Sequence, residues 1–183
     1  MTGILIHSCC APCATASVES LVAEGESPFL YFHNPNIHPW TEFKARADAF
    51  SAYLAETGLP GFVDETYGLM EFISTAPGFT RPARCEHCYR MRLSSAAGKA
   101  EELGIPRFTT TLTISPYQDH ELIRKVGEEE AAKRGLEFVY RDFRPLYRKS
   151  RAMARQAGYY MQKYCGCVFS EAERHGAAGE GTK

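Results

Sequence analysis

The stretch Gly3-Ile4-Leu5-Ile6-His7-Ser8-Cys9-Cys10-Ala11-Pro12-Cys13 decides how the rest of the chain is read. Ile4-Leu5-Ile6 is a short unbroken apolar run, the signature of a strand buried on both faces. Pro12 is tolerated only in the first turn of a helix, where its missing N–H has no partner to lose. The segment therefore reads as strand, tight turn, helix, with cysteines filling the turn. In open parallel sheets, ligands sit beyond the carboxyl ends of the strands. Backbone N–H groups at a helix start also favour thiolate over thiol. The cysteines occupy a functional address.

Outward from this unit, short β runs alternate with helical stretches. Val18, Leu21 and Val22 continue the first helix, and Phe29-Leu30-Tyr31-Phe32 is a second strand. Asn34-Pro35-Asn36 then breaks the chain. Phe43, Ala47, Phe50 and Leu54 form one helical stripe, closed by Gly58 and Pro60-Gly61. A weak third strand begins at Phe62-Val63, and a short helix follows over Leu69 to Ile73. A long helix from near Cys85 ends at Leu103-Gly104. Arg107 to Leu112 is a fourth strand, residues 118–134 are helical, Glu137 to Tyr140 is a fifth strand, and Ser150 to Ala157 is helical again. The alternation predicts an α/β fold, a three-layer sandwich around a mainly parallel sheet of about five strands. We expect one catalytic domain over 1–174 and a flexible tail over 175–183, which is rich in Gly and Ala.

With 183 residues, 44% of them hydrophobic, the chain can bury a full core without covalent staples. No apolar run approaches the roughly 18 residues of a membrane span. Met1 to His7 carries no basic stretch ahead of its three apolar residues, so no secretory signal is expected. A cytoplasmic, non-membrane protein is the default.

The seven cysteines fall in three clusters, Cys9-Cys10-x-x-Cys13, Cys85-x-x-Cys88 and Cys165-x-Cys167. Cysteines serving only as small core hydrophobes have no reason to bunch like this. Structural disulfides are rare in a reducing compartment, where clustered thiols bind metal or do redox chemistry. Iron–sulfur, zinc and thiol-redox sites all use C-x-x-C. The adjacent pair Cys9-Cys10 suits a closed zinc tetrahedron poorly. A four-iron cluster, which takes four thiolates, accommodates it better. A fifth thiol would then remain for a second metal or for the chemistry. A disulfide within Cys165-Gly166-Cys167 would close a very small, strained ring, and strained disulfides are readily reduced.

At these residues the sequence resembles the QueH-type epoxyqueuosine reductases. The resemblance rests on Cys9-Cys10-Ala11-Pro12-Cys13, Cys85-x-x-Cys88-Tyr89-x-x-Arg92, Thr111-Leu112-x-x-Ser115-Pro116-Tyr117 and Tyr164-Cys165-Gly166-Cys167-x-Phe169-Ser170, in the family's order. It implies reduction of epoxyqueuosine to queuosine at the wobble position of tRNA, the last step of queuosine biosynthesis. It also implies dependence on iron–sulfur and independence of cobalamin. By motif, Cys9, Cys10, Cys85 and Cys88 would ligate a 4Fe–4S cluster, and Cys165 and Cys167 would be the redox-active pair. Cys13 is left for a second metal ion, iron, or for the chemistry. The implied fold is similar to the adenine-nucleotide hydrolase (HUP) type. ATP-using relatives carry Ser-Gly-Gly-x-Asp-Ser after the first strand. Ser8-Cys9-Cys10-Ala11 stands there instead, so ATP use is not expected.

The net charge of −1 does not suggest a general nucleic-acid binder, but the charge is unevenly placed. Arg141, Arg144, Arg148, Lys149, Arg151 and Arg155 face one acid, Asp142, over fifteen residues, and Arg81, Arg84, Arg90 and Arg92 flank the second cysteine pair. Such a stripe suits a phosphate backbone or is a solvated helix face. Interleaved Tyr140, Phe143, Tyr147, Tyr159, Tyr160 and Tyr164 can stack on bases or pack in the core. Substrate candidates are Tyr89, Arg92, Tyr117, Arg141, Arg144, Arg148 and Arg151. A general acid is sought among Tyr89, Tyr117, Asp119, His7 and His87. A small electron-donor protein is the expected second partner. The alternatives are a zinc-stabilised RNA-binding module without catalysis and a tRNA thiolation enzyme.

Overall fold

The computed structural model describes residues 3–78 and 80–176. Five parallel strands form one sheet in the order β3-β2-β1-β4-β5. They are β1 (Gly3–His7), β2 (Ser27–Phe32), β3 (Gly61–Val63), β4 (Arg107–Thr110) and β5 (Glu137–Phe138). Helices α1 (Ala11–Ala23), α2 (Trp40–Thr57), α3 (Leu69–Thr75), α4 (Ala83–Glu102), α5 (His120–Ala132), α6 (Tyr147–Gln156) and α7 (Val168–Gly176) complete the chain. The sheet grows one way from β1 through β2 to β3. The chain then returns along α4 to place β4 on the other side of β1, with His7 opposite Thr110. The switch point between β1 and β4 is where such sheets open a binding crevice.

The period-2 geometry of β1 builds both cores. Ile4 and Ile6 point to one face, among Val18 and Leu21 of α1 and Phe43 and Phe50 of α2. Leu5 points to the other, among Leu93 and Ala97 of α4 and Ile123 and Val126 of α5. All three β1 side chains are fully buried, which is why the run has no polar alternation. The result is the three-layer α/β sandwich that the pattern predicts.

Two strands are shorter than expected. β4 stops at Thr110 rather than Leu112, because the Thr110 hydroxyl accepts the Leu112 N–H and turns the chain into a 3₁₀ helix over Thr111–Ile114. β5 ends at Phe138, and Tyr140 leaves the sheet to pair its hydroxyl with His120 Nδ1 at 3.0 Å. α6 starts at Tyr147, three residues ahead of the expected start, and α7 has no counterpart in the sequence pattern. Of the expected tail over 175–183, residues 177–183 lie outside the described residues.

α6 packs on α1 through buried Ser150 and Ala154, and Ser150 supplies the hydrogen bonds. Ser150 Oγ donates to Pro12 O at 2.7 Å, receives the Ala16 N–H at 3.2 Å and lies 2.8 Å from Thr15 Oγ1. It thereby fixes the first turn of α1, on which Cys10 and Cys13 ride. Ser150→Ala leaves several buried groups unpaired, and we expect a loss of about 1–3 kcal/mol of stability in urea unfolding.

Candidate active site

Cys9 and Cys10 leave β1 and enter α1, and Cys13 follows one turn later. Their sulfurs lie within 4.8 Å of one another, with Cys9 and Cys10 at 3.7 Å. Across the switch point, the Thr111 hydroxyl accepts the Cys9 N–H at 3.3 Å. Cys10 is fully buried, whereas Cys9 and Cys13 are half-buried and line a cleft of about 460 Å³. Cys165 reaches the same cleft from the chain between α6 and α7.

Cys85 and Cys88 lie in the first turns of α4, outside the 4.8 Å triad. Cys88 and Cys167 share a small buried cluster with Phe72, packed by Met91 and Phe169. Burial raises the pKa of Cys88 and Cys85, and negative charge on nearby Cys165 and Cys167 raises both further. Thus the structure brings Cys9, Cys10 and Cys13 together as one group and Cys85, Cys88, Cys165 and Cys167 as its neighbour.

The thiols do not titrate alike. Cys9 is pulled well below the ordinary range, first by S–H bonds from Cys10 and Cys13 and then by the Arg92 charge. Burial pushes Cys10 up, and Cys13 rises because its proton is held toward Cys10 and Cys9. Burial pushes Cys88 up to about 12.

Three side-chain N–H donors, Arg92 on α4 and Gln118 and Gln162 on loops, end on sulfurs. Arg92 Nη2 donates to Cys88 Sγ at 3.1 Å, while its Nε donates to Cys88 O at 3.1 Å. Gln162 Nε2 donates to Cys10 Sγ at 2.9 Å and Cys13 Sγ at 3.5 Å. Gln118 Nε2 approaches Cys165 Sγ at 3.6 Å, and its Oε1 accepts from Tyr89 at 2.7 Å. The Cys165-Gly166-Cys167 loop is itself clamped. Buried Arg46 donates to Cys165 O at 3.1 Å and Tyr164 O at 3.0 Å, and its charge is balanced by Glu42 at 2.6 Å. Gly166 has φ +110°, and a Cβ there would sit 3.0 Å from Arg46 Nη1. His38 N–H donates to Gly166 O at 2.7 Å.

Sequence reasoning missed Arg46, Gln118 and Gln162. Arg46 sits mid-helix among apolar residues, where a buried, paired arginine is its only signal, and the glutamines have no spacing relation to the cysteines they touch.

The other candidates separate. His7 is fully buried between Thr110 Oγ1 at 2.9 Å and His33 O at 3.1 Å, and burial brings its pKa to about 3. It is held neutral inside the sheet. Tyr89 is buried, and burial raises its pKa. Asp119 caps α5, accepting the Leu122 N–H at 3.0 Å. His87 faces Thr75 at 2.9 Å. Tyr117 lines the cleft and is 76% exposed. Arg141 pairs with Glu24 at 2.7 Å and Arg144 with Asp142 at 2.6 Å. Arg90 is held by Glu86, Glu129 and Glu130. Arg148, Arg151 and Arg155 share one face of α6, with no carboxylate within 4 Å among the described residues, and Arg151 stacks over Tyr147 at 5.7 Å. A larger open groove of about 590 Å³ along α4, past Tyr31 and Lys99, holds no cysteine.

The donor set fits a thiolate-bound metal centre. Several sulfurs converge beside buried Arg92, whose positive charge offsets that of thiolates, and beside buried Arg46, which Glu42 already pairs. No helix among the described residues is long and apolar enough to cross a membrane.

The fold and the site define a parallel α/β protein whose switch-point crevice is lined by cysteines that could hold a metal. In agreement, a predicted subunit of tRNA methyltransferase from Methanocaldococcus jannaschii shares that fold, with TM-score 0.50 and 12% identity over 87% of this chain and 91% of its own. Residues 4–173 match the family model described as Epoxyqueuosine reductase QueH. The chain is 35% identical over 94% of both lengths to the epoxyqueuosine reductase QueH of Dehalococcoides mccartyi. It is 36% identical to that of Histophilus somni, over 91% of this chain and 71% of the relative, and 31% identical to that of Thermotoga maritima, over 95% and 93%. The chain belongs to the epoxyqueuosine reductase QueH family and is an oxidoreductase of queuosine biosynthesis.

In the metal-free, reduced chain, Cys9 ionises ahead of Cys10 and Cys13. We expect iodoacetamide at pH 7 to label Cys9 ahead of Cys10 and Cys13, and peptide mass analysis to find labelling persisting below pH 8, where an ordinary thiol slows.

Proposed function

We propose that this chain reduces the epoxide of epoxyqueuosine, at the wobble position of tRNA, to the cyclopentene of queuosine in the cleft where Cys9, Cys13 and Cys165 meet. The observation that carries this reading is the gathering of thiols from three distant stretches at one end of the sheet, in a chain of this family. The reaction consumes two electrons and two protons, and the epoxide oxygen leaves as water. Cys9, Cys10, Cys85 and Cys88 would hold a 4Fe–4S cluster, which supplies single electrons when bound. Cys165, on the cleft wall, and Cys167, buried beside Cys88, are the redox-active pair, replenished in the cytoplasm by a small electron-donor protein.

The remaining work falls to the chain's own side chains. Tyr117 holds a proton on its hydroxyl at the cleft wall and is the favoured general acid among the five candidates. Arg46 and Gln118 keep Cys165 facing the cleft. Tyr147, which lines the cleft, offers a stacking surface for a base taken from the single-stranded anticodon loop, where extrusion costs little. The unpaired cations on α6 receive the phosphates beside it.

A second reading concerns Cys13. Thiolates at 2.3 Å from one tetrahedral ion stand about 3.8 Å apart. The spacing in the Cys9, Cys10 and Cys13 group therefore also suits a single metal ion. Iron with inorganic sulfide supports the cluster, and one ion per chain without sulfide supports the mononuclear site.

Anaerobically reconstituted protein given a chemical reductant and tRNA bearing the epoxide is expected to yield queuosine by mass analysis of the nucleosides. Cys85→Ala and Cys88→Ala should each bleach the visible absorbance and reduce turnover at least about 100-fold; full colour and turnover in both variants would remove these residues from the ligand set. The double variant Arg148→Glu/Arg151→Glu is expected to weaken tRNA binding and to lower the slope of log affinity against log salt by about 1 for each phosphate that is no longer neutralised. Filter binding across a salt series reads this, and an unchanged slope would place those arginines away from RNA.

A further inference from the structure

Arg92 is 1% exposed, and among the described residues no carboxylate lies within 4 Å of it. A buried guanidinium without an anion is costly. What surrounds it is sulfur: its Nη2 donates to Cys88 Sγ at 3.1 Å, and negative charge on Cys88, Cys165 or Cys9, when they are thiolates, favours its own positive charge. Its guanidinium carbon lies 5.7 Å from the Tyr89 ring, and its charge helps to keep the nearby buried His7 neutral. Arg92, which also lines the cleft, therefore stands between the Cys9 group and the Cys85–Cys88 pair, with thiolates as its only counter-ions among the described residues. A carboxylate partner would have stabilised the empty protein; its absence leaves the charge to be satisfied when the sulfurs are anionic.

We propose that Arg92 is the fixed countercharge of the thiol chamber, a positioning residue that holds Cys88 and offsets the negative charge carried by a thiolate-bound metal centre. This rests on the metal-centre reading above. It reassigns Arg92 from contacting RNA to balancing sulfur, and it gives the metal-free and metal-loaded states opposite preferences at one position.

The test compares wild type, Arg92→Met and Arg92→Lys as full chains. In the reduced, metal-free state Arg92→Met is expected to melt at or above the wild-type temperature, because the unneutralised charge is gone. Titration with Co(II), read by sulfur-to-cobalt charge transfer, should find its affinity reduced about 10–100-fold. In iron-reconstituted protein its midpoint potential should move to a lower value, since an added electron loses a positive neighbour. Arg92→Lys keeps the charge and should restore most of the potential. Wild-type Co(II) affinity and potential in Arg92→Met would overturn the proposal. So would a lowered metal-free melting temperature with unchanged metal binding, which marks a packing role. Wild-type protein that takes up Co(II) but no iron would end the iron–sulfur reading while the cobalt series still decides Arg92. Wild-type protein that binds neither would overturn both.

Discussion

The structure depends on one topological constraint: the chain reverses its direction of growth across the sheet between β1 and β4. On one side of that reversal the chain leaves His7 into Cys9, Cys10 and α1; on the other it leaves Thr110 into the 3₁₀ turn at Thr111. The two exits diverge and leave a crevice between them. The strand ends remain rigid, because Ile4, Leu5 and Ile6 are packed on both faces. Every other part of the site is brought to this gap: α4 carries Cys85, Cys88 and Arg92 to it, and the chain after α6 brings Gln162 and Cys165.

Sulfur chemistry then sets the electrostatics. A crevice meant to hold thiolates accumulates negative charge in a low-dielectric setting, and the fold answers with two buried guanidinium groups in different ways. Arg46 is neutralised by Glu42 and directs its remaining N–H groups to the carbonyls of Tyr164 and Cys165. It is a clamp in any state. Arg92 has no such carboxylate and binds Cys88. One cation serves the backbone of the Cys165–Cys167 loop, the other the sulfurs.

The sheet was legible because its signal is local. An apolar run of three, a turn rich in cysteine and a proline in a first helical turn define β1–α1 without tertiary information. Ends of elements were less legible, since they turn on single side chains such as Thr110, whose hydroxyl competes with the ladder for a neighbouring N–H. Cysteine spacing identified the thiol clusters, but which sulfurs fall together depends on how α4 and the 159–167 segment approach β1. Cys13, left without a role by its motif, lies with Cys9 and Cys10 because one turn of α1 returns it to their side. Gln118 and Gln162 carry no pattern at all.

The charge distribution separates the basic residues by function in a way their sequence density conceals. Arg141, Arg144 and Lys149 sit in the same run as Arg148, Arg151 and Arg155, yet the first three meet Glu24, Asp142 and Glu19. Their positive field is cancelled within the protein, and such exposed pairs contribute little to stability. The other three lie off the side of α6 that buries Ser150 and Ala154. A helix docked on its Ser150 and Ala154 side thus presents uncompensated cations outward while Tyr147, at its first turn, lines the cleft. A chain with net charge −1 still presents local positive surface this way, since Arg148, Arg151 and Arg155 share one helix whose first residue lines the cleft.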